Sequence, residues 1–189
     1  MKKILVIFDC FGVLCDKVVV QFIEKHVRDK DIKFIYETIV EPADLGLISR
    51  KEFFERLSWV LGIDEDCLVL ELEKLVVPHR ELYPIIEKLK AVADVALLSN
   101  AHEGHAENVL DKFNINHLFD KVFPSYKYKM VKPNLDFYKL CVDSFAKSYD
   151  EIYMVDDADQ NLAHISEIGI IPIKYDSVES VVNAFDFLR

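Results

Sequence analysis

Asp9, Asp156 and Asp157 each close a short apolar run, and Lys132 stands directly before a proline. Carboxylates brought together repel one another strongly unless a cation sits among them. Magnesium suits such a group, being small, hard and content with a few carboxylates and waters. The same residue types could transfer a phosphoryl group, which needs an in-line nucleophile and positive charge around the equatorial oxygens. Asp9 attacking phosphorus would give an aspartyl-phosphate and divide one hard hydrolysis into two easier displacements. Taken singly, these residues have plainer readings. A strand-end aspartate is commonly a turn residue or a helix cap, Ser99-Asn100 is a loop, and Lys132 is an ordinary surface lysine. Only their meeting at one sheet edge makes a site of them.

The elements that must bring them there are legible as a pattern. Ile4 to Phe8 is a continuous, largely β-branched apolar run closed by Gly12, as expected of a parallel strand buried on both faces, with Asp9 at its carboxyl end. The same grammar recurs at Val95 to Leu98, ending in Ser99-Asn100, at Ile152 to Val155, ending in Asp156-Asp157, and at Ile170 to Ile173 after Gly169. Helical spacing lies between these runs, in Leu82, Ile85, Ile86 and Leu89 and again in Leu135, Tyr138, Leu140 and Cys141. Strand and helix in alternation predict an α/β fold with a doubly wound parallel sheet, whose ligands bind beyond the carboxyl ends of the strands.

From about 16 to 79 the pattern is helical without strands, which predicts a small helical cap inserted into a core made of 1–15 and 80–189. Ser49-Arg50-Lys51-Glu52 reads as a capping box, followed by an apolar stripe of Phe53, Leu57, Val60 and Leu61 and a terminating Gly62. A further helix is expected from Asp64 with Leu68, Leu72 and Leu75 inward, and Pro78 marks the return to the core. Trp59, Phe53 and Phe54 are expected to pack within the cap.

A length of 189 residues allows one core with a modest insertion, and 51% hydrophobic with 30% charged residues is the balance of a soluble globular chain. The net charge of −10 argues against nonspecific binding to nucleic acid, which needs a basic surface to displace counterions. Cys10, Cys15, Cys67 and Cys141 show neither CxxC spacing nor disulfide density, so reduced thiols in a cytoplasm are expected. The first apolar run stops at Phe8, too short for a signal peptide, and no stretch has the length of a membrane span.

The strand, carboxylate and glycine turn of Asp9-Cys10-Phe11-Gly12-Val13-Leu14 resembles the first motif of the haloacid dehalogenase superfamily, Asp-x-Asp-Gly-Thr/Val-Leu. Ser99-Asn100 resembles its second motif, Lys132-Pro133 its third, and Asp156-Asp157 with Asn161 its fourth, in order over nearly the whole chain. The tract from Asp44 to Ser49 resembles the small helical cap of its subfamily IA, variant 3 type. The resemblance implies a Mg2+ held by Asp9, Asp156 and the backbone carbonyl of Phe11, with Asp157 closely associated. It implies that Lys132 neutralises Asp9 and the phosphoryl group, that Ser99 donates to a remaining phosphate oxygen beside Asn100, and that Asn161 supports the metal loop. A small phosphorylated metabolite is the substrate so implied.

One position departs from the pattern. The superfamily's second aspartate, which protonates the leaving alcohol and then activates water, is here Phe11. General acid–base catalysis contributes roughly 10²- to 10⁴-fold, so either the activity is weak, the leaving group needs no proton, or a cap residue or water supplies one. Phe11→Asp should therefore raise turnover unless another group already does that work. Two other readings follow from Phe11. One is a metal-free 2-haloacid dehalogenase, whose branch carries an aromatic residue here but lacks an Asp156-Asp157 pair; the other is a non-catalytic binding protein on the same fold. His102 and His105 could suggest a metal pair or border the pocket, and Cys10 is expected in the core. Tyr126, Lys127, Tyr128 and Lys129 read as a mixed basic and aromatic surface loop.

Overall fold

Every residue of the first strand, β1 (Ile4–Phe8), is apolar because helices cover the sheet on both faces. The computed structural model describes residues 2–185; Met1 and 186–189, assigned above to the core, lie outside the described residues. Four further strands, β2 (Asp94–Ser99), β3 (Lys121–Pro124), β4 (Glu151–Asp156) and β5 (Ile170–Lys174), join β1 in the order β3-β2-β1-β4-β5. All pairs are parallel. The chain steps outward from β1 to β3, then returns to the other side of β1 through β4, so the winding reverses beside β1 and opens a crevice at the strands' carboxyl ends. β3 escaped the sequence reading because Lys-Val-Phe-Pro is too short for a period, and its proline is tolerated only at an edge.

The segment after β1 is helical, as the pattern predicts. It comprises α1 (Val18–His26), α2 (Asp29–Ile35), a π turn (Tyr36–Val40) that runs on into α3 (Glu41–Asp44), α4 (Arg50–Leu61) and α5 (Glu65–Leu75). These helices share their own apolar cluster, with Phe22, Ile23, Ile39, Phe53, Leu57 and Leu68 at its centre. The Ser49 hydroxyl caps α4 by accepting from Glu52 N at 3.2 Å. The other half of the expected box is different: the Glu52 carboxylate pairs with Arg56 one turn on, a partner equally in reach on the helix surface. Gly62 ends α4 in the left-handed region at φ 67°, and the Asp64 carboxylate caps α5 at Cys67 N.

Two apolar expectations in this segment fail. Leu75 is 50% exposed, because the helix stops there and Val76 takes the inner place against both neighbouring clusters. Trp59 is 84% exposed. It lies two residues past buried Leu57, which on a helix is nearly the opposite side. Phe53 and Phe54 are buried as expected. The two connections to the sheet run side by side, with Asp16 N on Val77 O at 3.1 Å and His79 N on Leu14 O at 2.8 Å. Pro78 sits in that junction, bridged to Cys15.

Alternating strand residues feed two cores. Val6 and Phe8 pack against α6 (Tyr83–Lys90), α7 (His105–Phe113) and α11 (Val178–Ala184). Cys10 continues that face as a buried packing residue. Leu5 and Ile7 pack on the other face, against α9 (Leu135–Asp143) and the short α10 (Asp159–Leu162); the one-turn α8 (Ser125–Tyr128) follows β3. No described helix is long and apolar enough to cross a membrane.

Candidate active site

Phe8 stands in register with Val155, and Asp9 N donates to Val155 O at 2.9 Å. The ladder thereby carries Asp9 one step beyond β1 and sets it beside Asp156, the last residue of β4. Lys132, from the loop before α9, reaches between them, its Nζ 2.9 Å from Asp9 Oδ2 and 2.6 Å from Asp156 Oδ2. All three side chains are buried. Burial pushes the Asp9 carboxyl up to about 7, with Lys132 opposing the rise and Asp156 adding to it. Burial works on Asp156 in the same sense, but Lys132, the Ala158 N–H and the Asn161 amide outweigh it and hold that carboxyl below its ordinary value. Burial likewise disfavours the Lys132 charge, yet the two carboxylates keep its pKa above the usual lysine value.

The neighbouring polar residues fix this trio. The Asn100 side chain accepts from Lys132 N at 2.8 Å and donates to Lys132 O at 3.0 Å, a two-point clamp on the lysine's backbone. Asn100 also lines the cavity, so it holds the lysine's backbone and faces the cavity as well. Ser99 is fully buried, is not among the cavity-lining residues, and has its hydroxyl 3.5 Å from the Asn100 carbonyl. Asn161 donates to both Asp156 oxygens at 3.1 and 3.0 Å, the supporting place expected of it.

Asp157 completes a group in which one oxygen from each of Asp9, Asp156 and Asp157 lies within 4.8 Å of the others. Its Oδ2 meets Lys17 Nζ at 2.6 Å, while its Oδ1 is buried with no hydrogen-bond partner. Gly12 makes room for it: φ is +89°, and a Cβ there would run into the Asp157 carboxylate. The Phe11 carbonyl receives no donor among the described residues. An unsatisfied carboxylate oxygen among hard oxygen donors, with only two ammonium groups for three carboxylates, fits a small hard dication.

Asp9, Phe11, Lys17, Asn100, Lys132 and Asn161 border a cavity of about 180 Å³ at the carboxyl ends of the strands, lined from the other side by Tyr36, Val40, Asp44 and Phe53 of the helical segment. Phe11 lines it and begins a column of rings. Its centroid is 4.1 Å from that of His105, which is 4.4 Å from His102, which is 4.5 Å from Phe53. The two histidines thus link sheet to cap by stacking, and both border the cavity. Burial pushes His102 down to about 4 and His105 well below its ordinary value, so both are neutral imidazoles at pH 7. Tyr126 and Lys127 turn away to Glu107 of α7. Sequence reasoning missed Lys17 and Asp44 as cavity residues, since the π turn that aims α3 at the sheet leaves no trace in the spacing of apolar residues.

The fold has solved counterparts. The HAD family enzyme bt-2542 from Bacteroides thetaiotaomicron superposes with a TM-score of 0.82 at 21% identity, covering 98% of this chain and 99% of that one. The same enzyme in complex with magnesium and inorganic phosphate superposes with a TM-score of 0.75 at 24% identity, over 92% and 94%. A predicted HAD-like family hydrolase from Porphyromonas gingivalis gives 0.75 at 22% identity, over 100% and 98%. The L-2-haloacid dehalogenase of Xanthobacter autotrophicus, with chloropropionic acid covalently bound, gives 0.66 at 18%, over 97% and 82%. No curated protein matches the chain in sequence. The sequence model of haloacid dehalogenase-like hydrolases matches residues 5–169, and by that match the chain belongs to the haloacid dehalogenase-like hydrolase family.

Proposed function

We propose that this hydrolase is a magnesium-dependent phosphatase that cleaves a small phosphate ester through an aspartyl-phosphate on Asp9. The observation that carries the reading is the Asp9 carboxylate, open to the cavity and flanked by a buried ammonium at 2.9 Å and by two further carboxylates. Asp9, Asp156, Asp157 and the Phe11 carbonyl would hold Mg2+, which when bound lowers the charge repulsion on an incoming phosphate. Lys132 opposes protonation of Asp9 and donates to the phosphoryl oxygens. Asn100 keeps the lysine in line by its backbone clamp. The Bacteroides enzyme crystallised with magnesium and phosphate supports the same choice of ion and group. A small phosphorylated metabolite suits a cavity of about 180 Å³ better than a polymer does.

Turnover of p-nitrophenyl phosphate tests the reading. It should require magnesium and vanish in Asp9→Asn with the fold intact by circular dichroism. Metal-free chloride release from 2-chloropropionate would replace it with a dehalogenase, and magnesium binding without turnover of any phosphate ester would leave a binding protein.

A further inference from the structure

We infer that Asp44, a residue of the cap, is the proton donor and acceptor that position 11 lacks; the inference rests on the phosphatase reading. Tyr36, Val40 and Asp44 recur every four residues through the π turn and α3, and all three line the cavity with Asp9 and Lys132. Asp44 is the last residue of that helix, after which Leu45 and Gly46 turn the chain away. π turns inside helices commonly re-aim residues at functional sites.

The sheet holds this cap residue in place. Ser125 Oγ, at the start of α8, donates to the Asp44 carbonyl at 2.6 Å and is itself fixed by Ala101 N after β2, from which it accepts at 2.9 Å. Gly46, at φ +64°, lies so close to the Tyr126 carbonyl that a side chain there has no room. The Asp44 carboxyl itself has no ion pair and no hydrogen bond among the described residues, unlike Asp9 and Asp156. It is the cavity's uncommitted acid.

Its surroundings favour the protonated form, though the residue is only partly buried. Burial is the first cause, the charges of Asp9 and Glu41 add to it, Lys132 opposes, and the carboxyl rises to about 8. The phenol of Tyr36, two turns earlier, is uncharged at neutral pH like any tyrosine, and burial raises it further to about 12. The carboxyl end of a helix disfavours an anion as well. His102 and His105 cannot do this work: they are neutral at pH 7, and a neutral imidazole N–H is too weak an acid to protonate a departing alkoxide.

In the first displacement an Asp9 oxygen bonds to phosphorus, the bond from phosphorus to the ester oxygen breaks, and that oxygen takes the Asp44 proton. In the second, water attacks the aspartyl-phosphate and gives its proton to the Asp44 carboxylate. The Asp9–phosphorus bond then breaks, releasing inorganic phosphate and restoring both carboxyls.

The test is a series of aryl phosphates, from phenyl phosphate to 2,4-dinitrophenyl phosphate, whose dinitrophenolate leaves without a proton. With magnesium present, Asp44→Asn should lower kcat/KM for phenyl phosphate roughly 10²- to 10⁴-fold and leave that for dinitrophenyl phosphate within a few fold. It should also release a burst of one equivalent of dinitrophenolate, because the second displacement now lacks its base. Asp44→Glu should keep the wild-type leaving-group dependence, and adding Phe11→Asp to Asp44→Asn should recover phenyl phosphate turnover. Equal losses on all esters, or no loss on any, would overturn the role of Asp44 while the phosphatase reading stands. A wild-type protein inert towards the whole series would sink both.

Discussion

Lys132→Met removes the single cation between two buried carboxylates and replaces it with an apolar chain of similar length. Lys132 is the largest cause lowering either carboxyl, through contacts of 2.9 and 2.6 Å in a place almost closed to water. Taking one partner from a buried ion pair costs about 3–5 kcal/mol, because the charge left behind is uncompensated. For a chain of this size each kcal/mol lowers Tm by about 2–4 °C, so the loss should be roughly 6–20 °C at pH 7.5 in chelator. The pH dependence has a definite sign. Without Lys132 both carboxyls have folded pKa values raised above the unfolded value of about 3.9, so the penalty is present above that pH and fades as the pH falls and both protonate in the folded state. In the wild type Asp9, already raised to about 7, sheds a smaller penalty over the same range, and the depressed Asp156 changes nothing until the pH falls below about 3.9. Urea unfolding at pH 7.5 and pH 5, followed by circular dichroism, should therefore show a large difference shrinking to a smaller one. A gap under about 1 kcal/mol at pH 7.5, or one that widens on acidification, would refute the electrostatic account.

Two further perturbations probe the ring column and the glycine turn. His102 is buried and neutral, its pKa near 4 lying below the unfolded value of about 6.5, so it contributes stability above that value which is lost as pH falls towards 4. His102→Phe keeps a ring between Phe53 and His105 but cannot protonate, so its urea midpoint should fall less steeply between pH 6.5 and 4.5; parallel profiles would contradict a neutral buried imidazole. Gly12→Ala asks an alanine to adopt φ +89° with its Cβ against Asp157. A loss of roughly 1–2 kcal/mol in chemical denaturation is expected from the backbone alone, with weakened magnesium binding by calorimetry, and an unchanged magnesium affinity would detach Gly12 from the Asp157 site.

What the order of residues determined was the strand ends. A run such as Ile4 to Phe8 has little choice but a buried parallel strand, and a polar residue that interrupts it must then lie at the sheet's edge, which is how Asp9 and Asp156 could be located without coordinates. The Ser49 and Asp64 caps and the Gly62 stop were legible for a similar reason, since each acts within a few residues of itself. Tertiary structure alone decided which distant groups touch. It committed Asn100 to the backbone of Lys132, covered Ser99, gave Lys17 to Asp157, stacked His102 and His105 between Phe11 and Phe53, and left Asp44, with no ion pair among the described residues, on the cavity that Asp9 also lines. Local periodicity reports only which face of an element is apolar, whereas the protonation and reach of a polar group depend on neighbours from other elements and on the water those elements exclude.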